Sequence, residues 1–389
     1  MKDARMLNYR FIESTKDLED VSRSFTTARS IAVDLEADSM FHFKEKVCLI
    51  QMASETQTVV IDPLKIHDMS CLAPVFADPG IRKIFHGSDY DIRSLNRDYG
   101  YVVNNLFDTE LASRFLGISE TGLSSVLGQR FNVHLDKSYQ KKDWSQRPLS
   151  HEMVEYGARD VIHLLSLAKI LDSELKEKRR DEWVREECEL LSRVRCPNSN
   201  GEALFLKIKG AGRLDRRSLE ALERLLVYRM RIAERKDKPL FKVLSNNVLL
   251  DIAKLRPRTL DELRRTKILS DRQTDAFGDD LISEINKACE TPEDLLPQYP
   301  RQKKPTIRPD VPKRIDRLKD WRDGLAFELC IDPPILFNKA LLTEIAMKNP
   351  KSMEELDQVP GLKNWQRREF GERIVALLSK GKSTSEKKE

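Results

Sequence analysis

The sequence predicts an α/β domain with a mixed sheet flanked by helices, followed by two small all-α bundles. Three observations support this fold class. Short Val- and Ile-rich runs alternate with turn signals in the first hundred residues, helical patterns come between them and then dominate, and the C-terminal half matches itself at a shift of 93 residues. A chain of 389 residues is long enough for two or three domains.

The predicted strands are short runs bounded by breaks such as Asp62-Pro63 and Asp78-Pro79-Gly80. They are Ile31–Leu35, Val47–Met52, Thr58–Ile61 and Arg82–His86.

The predicted helices of this domain are Thr15–Ser24, Asp91–Arg97, Asp108–Phe115 and a long one from His151 to about Lys178. The long helix has clear start signals, because Ser150 is placed to cap it and Leu149 with Val154 has the spacing of a hydrophobic staple.

The internal repeat places Pro257 on Pro350 and Phe277-Gly278 on Phe370-Gly371 without a gap. Such matched helical segments predict two copies of one bundle, typical of duplicated binding modules. Linkers are predicted at 196–201 and 292–312. We therefore expect domains at 1–198, 210–291 and 312–380.

Composition limits the class of protein. The six cysteines show no CxxC pair, which argues against a zinc module or a disulfide framework. No apolar run is long enough for a signal peptide or a membrane span. We therefore expect a cytoplasmic protein, without a membrane partner or a small-molecule cofactor, and a monomer.

Charge is distributed unevenly along the chain. Residues 1–200 hold 28 Lys and Arg against 32 Asp and Glu, whereas residues 201–389 hold 40 against 31. An acidic front half and a basic back half suggest catalysis in front and polyanion binding behind. An Arg-rich solvated helical surface gives the same pattern.

Two carboxylates lie two residues apart in the predicted strand Ile31–Leu35 and just beyond it. Because strand side chains alternate, Asp34 and Glu36 point to one face while their apolar neighbours pack on the other. Adjacent buried negative charges are unfavourable unless a divalent cation compensates them. An ordinary solvated strand end has the same spacing, so the pair alone decides nothing.

Three further residues strengthen the metal interpretation. Asp91 follows a strand and a glycine turn, in the first turn of a helix. Tyr156 and Asp160 are neighbours on one face of the long helix. Four converging carboxylates are able to hold two Mg²⁺ or Mn²⁺ ions about 4 Å apart for phosphodiester hydrolysis. Tyr156 is then placed to position the attacking water.

The order and spacing of these residues resemble the DEDD exonuclease superfamily in its tyrosine-containing branch, which has an RNase H-like fold. Segments 107–112 and 143–149 are similar to those that precede the third motif in ribonuclease D. The duplicated units resemble HRDC domains. A DEDDy domain followed by two HRDC-like units is the architecture of the ribonuclease D family, and the resemblance covers nearly the whole chain.

The resemblance implies that Asp34, Glu36, Asp91 and Asp160 are metal ligands and that Tyr156 positions the water. It also implies 3′→5′ hydrolysis of RNA from a free 3′-hydroxyl to 5′-mononucleotides, with tRNA precursors as substrate. One departure concerns a turn. The second copy has Pro360-Gly361-Leu362 where the first has Lys267-Ile268-Leu269, so we expect the two backbones to differ there.

Other residues are candidates for contact with nucleic acid. The loop before the long helix combines cations with an aromatic residue, which suits electrostatic and stacking contacts with the 3′ end. An exposed charged loop whose Trp side chain packs into the domain has the same composition. The candidates are Gln51, His86, Lys141, Lys142, Trp144 and Arg147.

Two alternative functions remain. A DNA-directed 3′→5′ exonuclease of the Werner or proofreading type has the same site chemistry, and only recognition of the 2′-hydroxyl separates it from an exoribonuclease. A non-catalytic RNA-binding adaptor is disfavoured by the intact acidic set. The sequence does not give processivity, or which repeat contacts RNA.

Overall fold

The computed structural model describes residues 7–197, 201–300 and 308–379. It confirms the predicted fold class, with a mixed sheet flanked by helices and then two helical repeats. Parts of both predicted linkers (198–200 and 301–307) lie outside the described residues, as do 1–6 and the last predicted domain residue, 380. In the described ranges, no helix is long and apolar enough to cross a membrane.

Six strands form one sheet in the order β1-β4-β3-β2-β5-β6. β4 is parallel to β1 and antiparallel to β3, and β5 is parallel to both β2 and β6. The strand with the predicted acidic pair, β2, is therefore internal to the sheet. The strands are β1 (Arg10–Ile12), β2 (Ser30–Ala37), β3 (Val47–Ala53), β4 (Thr58–Ile61), β5 (Arg82–Phe85) and β6 (Leu106–Asp108).

Eight helices surround this sheet. They are α1 (Thr15–Phe25), α2 (Ala73–Ala77), α3 (Asp89–Tyr99), α4 (Thr109–Leu116), α5 (Leu123–Phe131), α6 (His151–Ile162), α7 (Leu164–Glu177) and α8 (Asp181–Leu191). The four predicted strands are confirmed. The sequence prediction did not include β1, β6, α2, α5 or α8.

The single long helix predicted from His151 to about Lys178 is wrong, because the chain forms two helices that meet at His163. The predicted start is confirmed, since the Ser150 hydroxyl accepts from the backbone N–H of Met153. The helix divides because its halves pack on different partners. α6 lies on β3 and β4, whereas α7 lies on α4 and β5.

Each helical repeat contains five helices. The first has α9 (Arg216–Arg235), α10 (Leu240–Val243), α11 (Asn246–Leu255), α12 (Leu260–Thr266) and α13 (Asp271–Glu290); the second has α14 (Asp310–Leu329), α15 (Pro333–Leu336), α16 (Lys339–Lys348), α17 (Met353–Asp357) and α18 (Asn364–Ser379).

The structure confirms the 93-residue repeat. That shift carries α10 onto α15 and α11 onto α16 at both ends, and it carries left-handed Arg256 onto left-handed Asn349. The predicted difference at the turn is also confirmed. Lys267 has positive φ in the first repeat, whereas Gly361, one position later in the alignment, has it in the second.

The chain divides into two compact units. The larger contains residues 1–36, 47–196 and 304–389, and the smaller contains 37–46 and 197–303. The second repeat thus belongs to the same unit as the α/β domain, while the segment between β2 and β3 belongs with the first repeat.

Within the larger unit, α18 of the second repeat docks on α8. The Glu186 carboxylate accepts from the backbone N–H groups of Asn364 (2.7 Å) and Trp365 (2.8 Å), so it occupies the N-terminus of α18. The indoles of Trp183 and Trp365 stack with centroids 4.9 Å apart. Phe115 contacts Trp365 edge-on, so the second repeat covers part of the core of the α/β domain.

Candidate active site

Three of the predicted acidic residues meet at one point. Asp34 and Glu36 leave the same face of β2, and each offers a carboxylate oxygen to a group in which Asp160 of α6 also takes part. These three oxygens lie within 4.8 Å of one another. A strand period of two and a helix laid across the strands are enough to bring them together.

The fourth acid, Asp91, approaches the same group from α3. Its negative charge raises the pKa of Glu36, and the charge of Asp34 raises the pKa of Asp91. Asp91 is not one of the three residues whose carboxylate oxygens lie within 4.8 Å of one another. It is 7% exposed, in the first turn of the helix.

Asp108 holds the turn that leads to Asp91. Its carboxylate accepts from the backbone N–H groups of Gly87 (3.0 Å) and Ser88 (2.7 Å), and it also caps α4. Sequence reasoning assigned Asp108 no role. The available signal was an Asp at the start of the predicted helix Asp108–Phe115, where its side chain is able to cap the first turn.

All four carboxyl groups have a raised pKa, chiefly because they are buried, and for three of them also because of neighbouring negative charges. Burial raises the pKa of Asp34 to about 6 and that of Asp160 to about 8, the latter with help from the charge of Asp34. Burial together with the charges of Asp34, Asp160 and Asp91 raises the pKa of Glu36 to about 10. Burial and the charges of Asp34 and Asp108 raise the pKa of Asp91 well above its ordinary value.

This donor set suits a hard divalent cation. Mg²⁺ and Mn²⁺ prefer oxygen ligands, and all four groups supply carboxylate oxygens. A cation among them replaces mutual repulsion with attraction and favours the ionised forms, so the residues fit the predicted metal centre.

Tyr156 lies on α6 one turn before Asp160 and is 8% exposed. Burial and the charges of Asp160, Glu36 and Asp34 raise the pKa of its hydroxyl. A hydrogen bond from the Gln140 side chain lowers this pKa, but by less. The hydroxyl is therefore neutral near pH 7 and available as a hydrogen-bond donor, but it is not a base.

The aromatic rings of Tyr139 and Trp144 support Tyr156, with centroids 5.6 and 5.9 Å from its own. Trp144 is 1% exposed, so its ring fills the core beneath Tyr156 and has no face available to a base. Arg147 is also structural. It donates two hydrogen bonds to Asp62 (2.6 and 2.7 Å) and another to the Cys48 carbonyl. The predicted nucleic-acid contacts of Trp144 and Arg147 therefore find no support in this placement.

The remaining candidates lie in different environments. Lys141 and Lys142 are exposed, as the loop prediction requires. His86 is partly buried, and burial lowers its pKa against the opposing charges of Asp108 and Glu110. Its Nδ1 lies 2.9 Å from the Thr109 hydroxyl oxygen, which fixes the ring.

Gln51 lies where α6 passes closest to β3. It is fully buried, and within the described part of the chain its amide oxygen and nitrogen have no hydrogen-bond partner. A Cβ on Gly157 would lie 2.8 Å from the Gln51 Nε2. Glycine at 157 thus permits the close approach of helix and sheet that brings Tyr156 and Asp160 to the acidic pair.

Comparison with protein families divides the chain in the same order. Residues 9–176 match the 3′-5′ exonuclease family model, and residues 218–285 and 312–378 each match the HRDC domain. The first match contains all four acids and Tyr156. The other two fall on the helical repeats.

Individual relatives match large parts of the chain. The chain is 29% identical over 337 residues to ribonuclease D of Desulfotalea psychrophila, covering 86% of this chain and 89% of that protein. It is 33% identical over 257 residues to human exosome complex component 10, covering 64% of this chain but only 29% of that protein.

A solved structure extends the likeness to the whole described architecture. The crystal structure of Escherichia coli RNase D, an exoribonuclease involved in structured RNA processing, matches with a TM-score of 0.75 and 26% identity. The match covers 96% of this chain and all of that one. The order of domains, the position of the acidic cluster and these relatives agree, and the chain belongs to the ribonuclease D family of 3′–5′ exoribonucleases.

Proposed function

We propose that the protein hydrolyses RNA from a free 3′-hydroxyl, one nucleotide at a time, with two divalent metal ions held by Asp34, Glu36, Asp91 and Asp160. One observation carries the proposal. Four carboxyl groups are brought together inside a 3′-5′ exonuclease domain, where burial and neighbouring negative charges make their ionisation less favourable. Such a cluster is expected where cations compensate the charge.

The four acids would hold the metal ions, which when bound would supply a nucleophilic hydroxide at neutral pH and stabilise the charge on the departing 3′-oxygen. The protein supplies the rest. The two acids of β2, together with Asp91 and Asp160, fix the ligand oxygens from three separate elements. Tyr156 keeps its proton and donates a hydrogen bond that orients the water for attack on the terminal phosphodiester.

We further propose tRNA precursors as a substrate class, hydrolysed to 5′-mononucleotides. The similarity to ribonuclease D of two bacteria supports RNA as the polymer. No residue of the described chain is assigned to the 2′-hydroxyl, so a DNA-directed 3′→5′ exonuclease is the second candidate.

The decisive experiment follows 5′-labelled RNA with Mg²⁺ or Mn²⁺. We expect stepwise shortening from the 3′ end, and EDTA should stop it. Asp34→Asn and Asp91→Asn should each reduce kcat by more than about 100-fold, beyond the loss seen for an outer-shell partner of a metal, while RNA affinity stays within about twofold.

Asp89→Asn is the matched control for Asp91→Asn, because Asp89 lies in the same helical turn but is exposed and paired with Arg93. It should keep near-normal activity. Normal cleavage by Asp34→Asn would contradict the metal assignment. Faster hydrolysis of a matched DNA strand would favour the second candidate.

A further inference from the structure

The smaller unit carries a surface on which cations alternate with exposed apolar side chains. Two segments form it: residues 37–46, which directly follow Glu36 in the chain, and residues 235–242, which end α9 and begin α10. We call it the basic aromatic surface. It consists of Met40, Phe41, Lys44, Lys236, Lys238, Leu240, Phe241 and Lys242.

Specific contacts hold the two segments together. The Asp237 carboxylate accepts from the Nδ1 of His42 (2.6 Å) and from the backbone N–H of Phe43 (3.1 Å). The Lys242 ammonium lies 4.4 Å from the ring centroid of Phe41. The left-handed conformation of Asp237, with φ of 44°, belongs to the same turn. The surface is thus a built feature of the smaller unit.

Its chemistry matches single-stranded nucleic acid. Phe241 is 53% exposed and Met40 is 51% exposed, although both side chains are apolar. The segments 37–46 and 234–242 together hold six Lys and Arg against four Asp and Glu, and one of those acids, Asp38, is fully buried. Lysines attract the phosphates, and exposed aromatic rings stack on bases of any sequence.

The second repeat provides an internal comparison. At the shift of 93 residues, the segment 235–242 corresponds to 328–335, which contains no Lys or Arg. Part of this segment contacts the α/β domain, although Glu328, Cys330, Asp332 and Pro334 are exposed. The Arg180 guanidinium donates to the Leu329 carbonyl (2.8 Å), Ile331 is 4% exposed, and the Cys330 carbonyl fills the space where a Cβ on Gly117 would lie.

Total charge divides the repeats in the same way. Residues 216–290 hold 17 Lys and Arg against 13 Asp and Glu, a balance of +4, whereas residues 310–379 hold 12 of each. The N-terminus of α18, which in a free helix would attract a phosphate, is already occupied by Glu186. The two copies have therefore diverged in charge and in the contacts that this corner of the bundle makes.

We propose that the basic aromatic surface binds single-stranded RNA, with the lysines on the phosphates and Phe241 on a base, and that the second repeat serves to dock instead of to bind RNA. The inference rests on the proposed hydrolysis of RNA and assigns its polymer-binding surface. It predicts that affinity for a long strand depends on the first repeat, while a dinucleotide needs little of it.

The test compares two double variants. Lys238→Glu/Lys242→Glu alters the basic aromatic surface, and Lys319→Glu/Lys339→Glu makes the same charge change at exposed positions of the second repeat. Affinity for an unstructured 20-nucleotide RNA is measured by fluorescence anisotropy at several salt concentrations, in the Asp34→Asn background so that the strand stays intact. Hydrolysis of the 20-mer and of a dinucleotide is measured in the active background.

For the first double variant, we expect at least a tenfold loss of affinity for the 20-mer and a salt slope reduced by about 0.7 for each phosphate contact removed. The ratio of kcat/KM for the 20-mer to that for the dinucleotide should fall at least tenfold. The second double variant should change neither quantity by more than about twofold. Phe241→Ala, which leaves every charge in place, should weaken 20-mer binding at least about fivefold if the ring stacks on a base.

Three results would overturn the proposal: equal binding losses in both double variants, unchanged binding in Lys238→Glu/Lys242→Glu and Phe241→Ala, or an equal loss of dinucleotide and 20-mer hydrolysis. The second of these is the result expected for a protein-docking surface. If the unsubstituted protein binds the 20-mer but cleaves neither substrate, the proposed hydrolysis fails, and the binding comparison still decides the role of the surface.

Discussion

At the scale of single residues, local sequence rules predicted most of the side chains that the structure brings together in the candidate site. A strand period of two places Asp34 and Glu36 on one face, and a helical separation of four pairs Tyr156 with Asp160. These rules depend only on spacing within one strand or one helix, so tertiary packing does not change them. Asp108 and Tyr139 were beyond such rules, because their contacts with the Ser88 turn and with Tyr156 join elements that are distant in sequence.

The raised pKa values make the stability of the metal-free protein depend on pH. A carboxyl whose pKa is higher in the folded than in the unfolded chain binds more protons when folded, so the free energy of unfolding falls as pH rises between the two values. The pKa rises from 3.8 to about 6 for Asp34, from 3.8 to about 8 for Asp160 and from 4.5 to about 10 for Glu36. In EDTA, these groups should therefore lower Tm progressively from about pH 4 to about pH 10.

Thermal denaturation followed by circular dichroism at pH 5 and pH 8 measures this effect. Asp34→Asn is the reference, because it removes one of the repelling charges and should show a smaller drop. Mg²⁺ at pH 8 should raise Tm of the unsubstituted protein more than that of the variant. An equal drop in both proteins would show that the acidic cluster does not control stability.

At the scale of elements, the position of α6 on β3 decides whether the site forms. At Gly157 the helix lies so close to the sheet that an added Cβ would meet the side chains of Gln51 and Leu49. The break at His163 was not predictable from periodicity, since both helices are amphipathic and the division depends on which surfaces they cover. The docking of α18 on α8 was also not predictable from the sequence, because it depends on tertiary contacts between helices that are far apart in the chain.

Replacing Gly157 tests the approach of α6 to the sheet. An added methyl group would lie 2.8 Å from Gln51 Nε2 and 3.1 Å from Leu49 Cδ2, so we expect Gly157→Ala to destabilise the fold by about 1–3 kcal/mol although alanine favours helices. Urea denaturation measures the change. Activity should fall as well, because any shift of α6 moves Tyr156 and Asp160.

Gly324 supplies the matched control, since it lies within α14, is exposed and would place a methyl group in open space. Gly324→Ala should stabilise the protein by about 0.5–1 kcal/mol. Similar effects of the two substitutions would show that helix propensity, instead of the contact with β3, controls the outcome at Gly157.

At the scale of the whole molecule, the sequence identified an α/β part and a duplicated helical part but not how the chain divides between compact units. The repeat is visible in sequence because matched prolines and apolar positions recur every 93 residues. The division into compact units is not visible in the sequence. The second repeat joins the larger unit through contacts of Trp365, Glu186 and Arg180, whose partners lie about 150–180 residues away.

This division predicts the result of shortening the protein. A chain that ends at residue 303 lacks the second repeat and exposes Phe115 and Trp183, so its α/β domain should melt at a lower temperature than in the full chain and tend to associate. Calorimetry and light scattering measure the two effects. In the full chain, Trp365→Ala should lower Tm in the same direction by a smaller amount, and an unchanged Tm in both proteins would refute the structural role of the docking.

The docking of α18 also has a consequence for the order in which the protein is made. Ribosomes produce the catalytic acids first and Trp365 more than two hundred residues after Asp160. The aromatic cluster of Phe115, Trp183 and Trp365 therefore stays open until α18 has been synthesised, since domains form as their residues emerge. A nascent nuclease domain is thus completed only after the whole first repeat has been made.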